Sequence, residues 1–196
     1  MPSWVVLDAC VLHPIAVADT LLWIAHAEVY QPLWSEEILD ELRRSVLARL
    51  PNADIDSRIA DMRQAFPEAS VSGYESLTAD LTNDPGDRHV LAAAIAGEAP
   101  IIVTTNLRHF RPEACRPHGI EAQHPDEFLV NALKLDAEPV VRALGRQARA
   151  KKAPPITLAG LLEHLASPLP AFAALASEFI QQIEADEPGR LTRIID

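Results

Sequence analysis

Asp8, Glu41, Asp87 and Asn106 are the residues of this chain best suited, by type and by place in the pattern, to chemistry. Asp8 directly follows the apolar run SWVVL of residues 3–7, which reads as a buried strand. A carboxylate there costs desolvation free energy unless something compensates it. In open α/β sheets, ligands bind just beyond the carboxyl ends of strands. An Asx-turn or cap for the following loop is the plainer account, and position alone leaves both open. Asp87 stands three residues before Val90 and four before Leu91, so it shares the inward face of that helix at its N-terminal end. The competing account is an acid that complements the helix dipole. Asp84, in the turn Asn83-Asp84-Pro85-Gly86, reads first as a turn or cap residue. Among Glu36, Glu37, Asp40 and Glu41, angle singles out Glu41. It lies about 60° outside the stripe of Ile38, Leu39, Leu42 and Val46, near enough to turn into a cleft. Asn106 ends the run of residues 100–104 (PIIVT) much as Asp8 ends the first, with a turn or cap as its alternative. If those two strands are neighbours, three acids and an amide gather where such sheets hold ligands.

The elements that must position these residues follow from periodicity. Residues 3–7 and 100–104 read as buried strands, 69–72 as a short candidate strand and 120–123 as an edge strand. Helical spacing marks residues 15–30, the SEEILDELRRSVLARL segment capped by Ser35, residues 55–66, 87–96 and 126–135. Pro32 reads as an interruption. Strands alternating with helices predict an α/β domain with a parallel sheet. After Asp136 the chain turns Ala/Leu-rich and helical, broken by Pro154, Pro155, Pro168 and Pro170, which predicts an extension of about three helices. The expected division is residues 1–135 and 136–196.

Composition narrows the classes. The 196 residues are 48% apolar and 23% charged, the balance of a chain with a real core, which excludes global disorder. No uncharged apolar run approaches the roughly 18–20 residues of a membrane span. The opening MPSWVVLDAC lacks a basic start and meets an acid early, so no signal peptide is expected and a cytoplasmic location is. Cys10 and Cys115 cannot form a disulfide scaffold, and no spacing suits structural zinc. With 7 glycines and neither G-x-S-x-G nor a glycine-rich phosphate loop, a hydrolase elbow and a nucleotide cradle are unsupported. The net charge of −11 argues against a generic nucleic-acid binder, and is equally that of a solvated acidic surface or a hidden cation site.

LDACVL after the first strand, SEEILDEL, DPGDRHVLAAAIAGEAPIIVTTNLRHF and GIEAQHPDEFL occur in the order and spacing of PIN domains. Over about residues 3–130 the chain resembles the VapC-like toxin branch of that family, and the tail is similar to the extension of its longer members. The resemblance implies a flap-nuclease-like three-layer sandwich with a central parallel sheet, plus the helical C-terminal extension. It implies clustered acids that bind Mg²⁺ or Mn²⁺ and cleave RNA. By position Asp8, Glu41 and Asp87 are the implied catalytic and metal-holding acids. Asn106 stands where the family usually has Asp, bringing an oxygen without a charge; Asp84 is a candidate to compensate.

A divalent ion activates water and neutralises phosphate, which partly answers the acidic balance. Arg43, Arg44, Arg88 and Arg108 are the expected RNA contacts, with surface ion pairing as the plainer account of each. Trp34 and Trp23 are candidates for base stacking or core. The resemblance further implies an RNA substrate, tRNA among the candidates, a cognate antitoxin and a homodimer. Other readings are a weakened PIN domain that binds RNA or protein, and a DNA or flap nuclease.

Overall fold

A computed structural model describes residues 3–152 and 154–195; residues 1, 2, 153 and 196 of the two expected ranges lie outside the described residues. The run before Asp8 forms β1 (Trp4–Leu7), in which Val5, Val6 and Leu7 are wholly buried. Successive strand residues point to opposite faces, so both faces of the sheet are covered here. A short α1 (Ala9–Leu12) and then α2 (Ile15–His26) follow. β2 (Gln31–Ser35) leads into α3 (Glu36–Arg49), where the Ser35 hydroxyl accepts from the Ile38 N–H at 3.3 Å, the cap read from sequence. Next come α4 (Ile55–Ala65) and the two-residue β3 (Ser70–Val71). After 3-10 turns at Glu75–Asp80 and Pro85–Asp87, α5 (Arg88–Ala96) precedes β4 (Ile101–Val103), α6 (Pro112–Cys115) and β5 (Glu121–Gln123).

All pairings of the sheet are parallel, in the order β3-β2-β1-β4-β5. The chain works outward from β1 through β2 to β3, then returns to the other side of β1 with β4. The reversal point therefore lies between the carboxyl ends of β1 and β4, where open sheets form their ligand crevice. α5 packs across β1, β2 and β4, and its Val90–Ala94 core, mostly alanine, is fully buried. Gly97 closes that helix where a Cβ would sit 2.6 Å from Leu33 Cδ1, so any side chain there would force Leu33 to move.

The sequence reading has no strand at residues 31–35, because Pro32 breaks its pattern. The register explains why proline is tolerated. Gln31 N–H points toward β1, donating to Ser3, so Pro32 and Trp34 face β3. β3 pairs only with Trp34 and Ser35, so the donor that Pro32 lacks has no acceptor to serve. Trp34 is 1% exposed and stacks edge-on against Phe66, with ring centroids 6.0 Å apart. It is core, not a base-stacking surface.

The compact units do not part at 135/136. One comprises Met1–Pro14 with Tyr30–His124, and the other Ile15–Val29 with Pro125–Asp196. The second unit contains α2, α7 (Pro125–Leu135), α8 (Ala137–Ala150), α9 (Leu158–Leu165), α10 (Pro170–Asp186) and α11 (Arg190–Ile195). Among the described residues four helices follow Asp136 where the prolines suggested about three, because α11 turns away after Gly189 at φ +83°. The apolar face of α2 (Val17, Ala18, Leu21, Ile24) packs on α8, and Thr20 pairs with Gln147 in that seam. Lys151 reaches back to Asp19 at 3.0 Å. The Asp126 carboxylate accepts from the N–H groups of Ala171 and Phe172, tying α7 to the start of α10. Among the described residues no helix is long and apolar enough to cross a membrane.

Candidate metal centre

Asp8 leaves the end of β1 only 1% exposed, beside the end of β4. The Thr104 hydroxyl donates to Asp8 Oδ2 at 2.6 Å and accepts the Asn106 N–H at 3.0 Å. The Cys10 thiol donates to the same oxygen at 3.1 Å, and its sulfur accepts from Thr105 N–H at 3.2 Å. One carboxylate oxygen is therefore held twice, while no donor among the described residues reaches Oδ1. Burial pushes the Asp8 pKa up; Thr104 and Cys10 oppose this, and the like charges of Glu41 and Asp87 add to it. Burial and the Asp8 charge push the Cys10 thiol up to about 11, so it stays a protonated donor.

Asp87 ends the 3-10 turn and precedes α5, yet its side chain makes no cap bond. Its Oδ2 instead meets His109 Nδ1 at 2.7 Å. Asp84 does cap, accepting from Gly86 N–H at 3.0 Å, and also stands in the same cluster. Ligand atoms of Asp84, Asp87 and His109 all lie within 4.8 Å of one another. The turn-cap account of Asp84 is thus observed, and its carboxylate also stands within reach of Asp87.

Glu41 and Glu37 face the buried His89, at 3.5 Å from Nε2 and 4.0 Å from Nδ1 respectively. Burial disfavours the His89 cation, but Glu41, Glu37 and Asp8 outweigh it and move the imidazole up. Asp8 feels Glu41 and Asp87, and His89 feels Glu41 and Asp8. These acids, distant in sequence, bear on one another at the reversal point of the sheet.

Comparison with known proteins supplies the lineage of this arrangement. Residues 4–108, which span the sheet as far as β4 and the candidate acids, match the family model described as a PIN domain. The chain belongs to the PIN domain family. Residues 125–178 match a second model, the VapC50 C-terminal domain, so this is a VapC-like PIN protein with the matching extension. A protein of Mycobacterium tuberculosis (strain ATCC 25618 / H37Rv), named "Putative ribonuclease VapC50", is 44% identical over 104 residues, covering 53% of this chain. The match spans 62% of that relative's length. No solved structure matches the chain.

Within the PIN fold, the acid set suits a hard divalent cation. Asp8 is buried against two like charges with one oxygen free of donors, an accumulation that a cation relieves. Asn106 is half-buried before the 3-10 turn Leu107–His109, and its side chain makes no hydrogen bond to the described residues.

The arginines divide. Arg43 is paired with both Asp40 and Asp56, so its charge is already compensated. Arg88 donates to the Asn83 carbonyl at 3.5 Å and Arg108 to His109 Nε2 at 2.9 Å. Arg44 is exposed and has no partner among the described residues. Thr104, Cys10 and His109 have no place among the candidate acids and amide read from sequence. The available clue was polar residues ending a buried run or standing just beyond it, as Asp8 itself does.

Proposed function

We propose that the chain is an endoribonuclease dependent on Mg²⁺ or Mn²⁺, and the toxin of a type II toxin–antitoxin pair acting in the cytoplasm. The observation that carries this reading is the buried Asp8 carboxylate, repelled by Glu41 and Asp87 at the crevice of a PIN sheet. The printed name of the mycobacterial relative, a ribonuclease, supports the substrate class. In this reading Asp8, Glu41 and Asp87 hold the ion, with Asn106 and Asp84 as further oxygen donors. The ion, when bound, supplies an activated water and positive charge at the scissile phosphate.

The chain's own residues do the rest. Thr104 and Cys10 keep Asp8 turned one way. His89 sets a polar ring against Glu41 and Glu37, tempering their mutual repulsion. Arg44, exposed on the Glu41 helix, meets the RNA backbone, while Arg88 and Arg108 flank the acid cluster. The candidate acids all belong to the first compact unit, and the C-terminal helices belong to the second. The partners are RNA, tRNA among the candidates, a cognate antitoxin and a second copy of the chain.

Incubation with single-stranded RNA, tRNA and flap DNA, with Mn²⁺ or with a chelator, tests this reading. RNA is cut and flap DNA spared, and the chelator stops the reaction. Preference for flap DNA would overturn the substrate assignment.

Asn106 favours one rival reading, a PIN domain weakened toward binding alone. Asn106→Asp adds a charged oxygen beside the site, so Mn²⁺ binds more tightly by calorimetry and cleavage rises only several-fold. A rise of about 100-fold, near 2.7 kcal/mol of barrier, would mark the natural chain as attenuated.

A further inference from the structure

We propose that His109 is a positioning residue that sets the Asp87 carboxylate for the divalent cation, with Arg108 fixing the imidazole. This rests on the metal-dependent reading above. Arg108 Nε–H donates to His109 Nε2 at 2.9 Å, and a ring nitrogen that accepts a hydrogen bond carries no proton. The proton of the neutral ring therefore sits on Nδ1, which donates to Asp87 Oδ2 at 2.7 Å. Geometry thus selects the tautomer, and the Nε2 lone pair is spent on Arg108 and not on a cation.

The backbone holds the ring in place. His109 N–H donates to the Asn106 carbonyl at 2.8 Å, and its own carbonyl accepts from Asp84 N–H at 3.5 Å. The 3-10 turn after Asn106 is thereby tied to the turn that carries Asp84 and Asp87.

Asp87 repeats the arrangement at Asp8. In each, Oδ2 is held by a neutral donor, the Thr104 hydroxyl and Cys10 thiol in one case and the imidazole in the other. No donor among the described residues reaches Oδ1 of either. An acid with one oxygen tied and the other open presents a fixed lone pair to a cation at less entropic cost than a freely turning carboxylate. The 22-residue separation of His109 from Asp87 is what a supporting partner drawn from another strand end looks like.

Calorimetric Mn²⁺ titration without RNA tests the inference, on wild type and on His109→Leu, His109→Asn, His109→Gln and Asp8→Asn. Asparagine carries its amide nitrogen about where Nδ1 stands and restores donation to Asp87; the longer glutamine places it nearer Nε2. His109→Leu weakens Mn²⁺ binding roughly 10–100-fold. His109→Asn recovers most of the loss and His109→Gln recovers less. The ring is partly exposed, so thermal unfolding stays close to wild type, and the Asn-against-Gln contrast decides the matter even if leucine disturbs the loop.

Mn²⁺ bound equally by wild type and His109→Leu overturns the role of His109 alone. Loss in His109→Leu and His109→Asn alike, with unfolding unchanged, overturns positioning in favour of the imidazole as a direct ligand. No Mn²⁺ binding by wild type overturns this inference together with the metal-dependent reading, and binding kept by Asp8→Asn moves the cation away from the proposed site.

Discussion

Asp8→Asn and Asp87→Asn each lower RNA cleavage by more than about 100-fold, beyond the usual 10–100-fold cost of losing a ligand's supporting partner. Asp8→Asn also raises the melting temperature at neutral pH. Burial holds the Asp8 pKa above its ordinary 3.8, helped by Glu41 and Asp87 against Thr104 and Cys10. Because the folded value exceeds the unfolded one, the contribution of this group to stability is whole below about 3.8 and is lost as pH rises through the raised value. Above the raised value the wild type bears that loss, and asparagine, which keeps the shape without the charge, escapes it. Each 1 kcal/mol recovered is worth roughly 2–4 °C in a chain of this size. The advantage of the variant shrinks as the pH is lowered toward the ordinary carboxylate range. Adding Mn²⁺ at neutral pH reverses the order, since the ion stabilises only the chain that binds it. Melting curves at neutral and acid pH, with and without Mn²⁺, check all three statements. A variant that unfolds far below wild type without metal would mean that Asp8 serves the fold instead.

Thr104→Val has the second largest effect. The side chain is fully buried, and valine matches its shape while removing the hydroxyl. Asp8 then keeps only the thiol as a donor, and the Asn106 N–H loses its acceptor. A hydrogen bond to a charged group contributes about 1.5–3 kcal/mol, so the melting temperature falls roughly 3–12 °C. Cleavage falls about 10–100-fold as Asp8 loses its orientation. Thr104→Ser preserves both. Built onto Asp8→Asn, the same valine costs less stability, because the charge it fails to serve is gone. Equal losses in the two backgrounds would show that Thr104 acts independently of Asp8.

Much of the architecture was legible because its signals are local. The apolar runs behind β1 and β4, the Ser35 cap of α3 and the turn before α5 each announce themselves within a few residues. β2 was hidden because a single proline spoils its pattern. Its tolerance depends on how far a neighbouring strand extends, which no window on residues 31–35 contains. The same limit divides the site. Asp8, Asp84 and Asp87 stand at punctuation points, a strand end and a turn, where acids are noticed. Glu41 was found by angle around a helix. Thr104 and His109 meet Asp8 and Asp87 across 96 and 22 residues of sequence, and neither pairing can be read until the sheet order brings the ends of β1 and β4 together. Helical spacing marked the helix that became α2, but periodicity does not say which core receives its apolar face.

That last point bears on any attempt to shorten the protein. The polypeptide leaves its first unit at Pro14 and rejoins it at Tyr30, having spent the excursion as part of the second. A chain cut after His124 would keep α2 but lose α8, stranding Val17, Leu21 and Ile24 in water and leaving Thr20 without Gln147. The extension is thus no detachable appendage, because its compact unit includes a helix drawn from near the start of the chain.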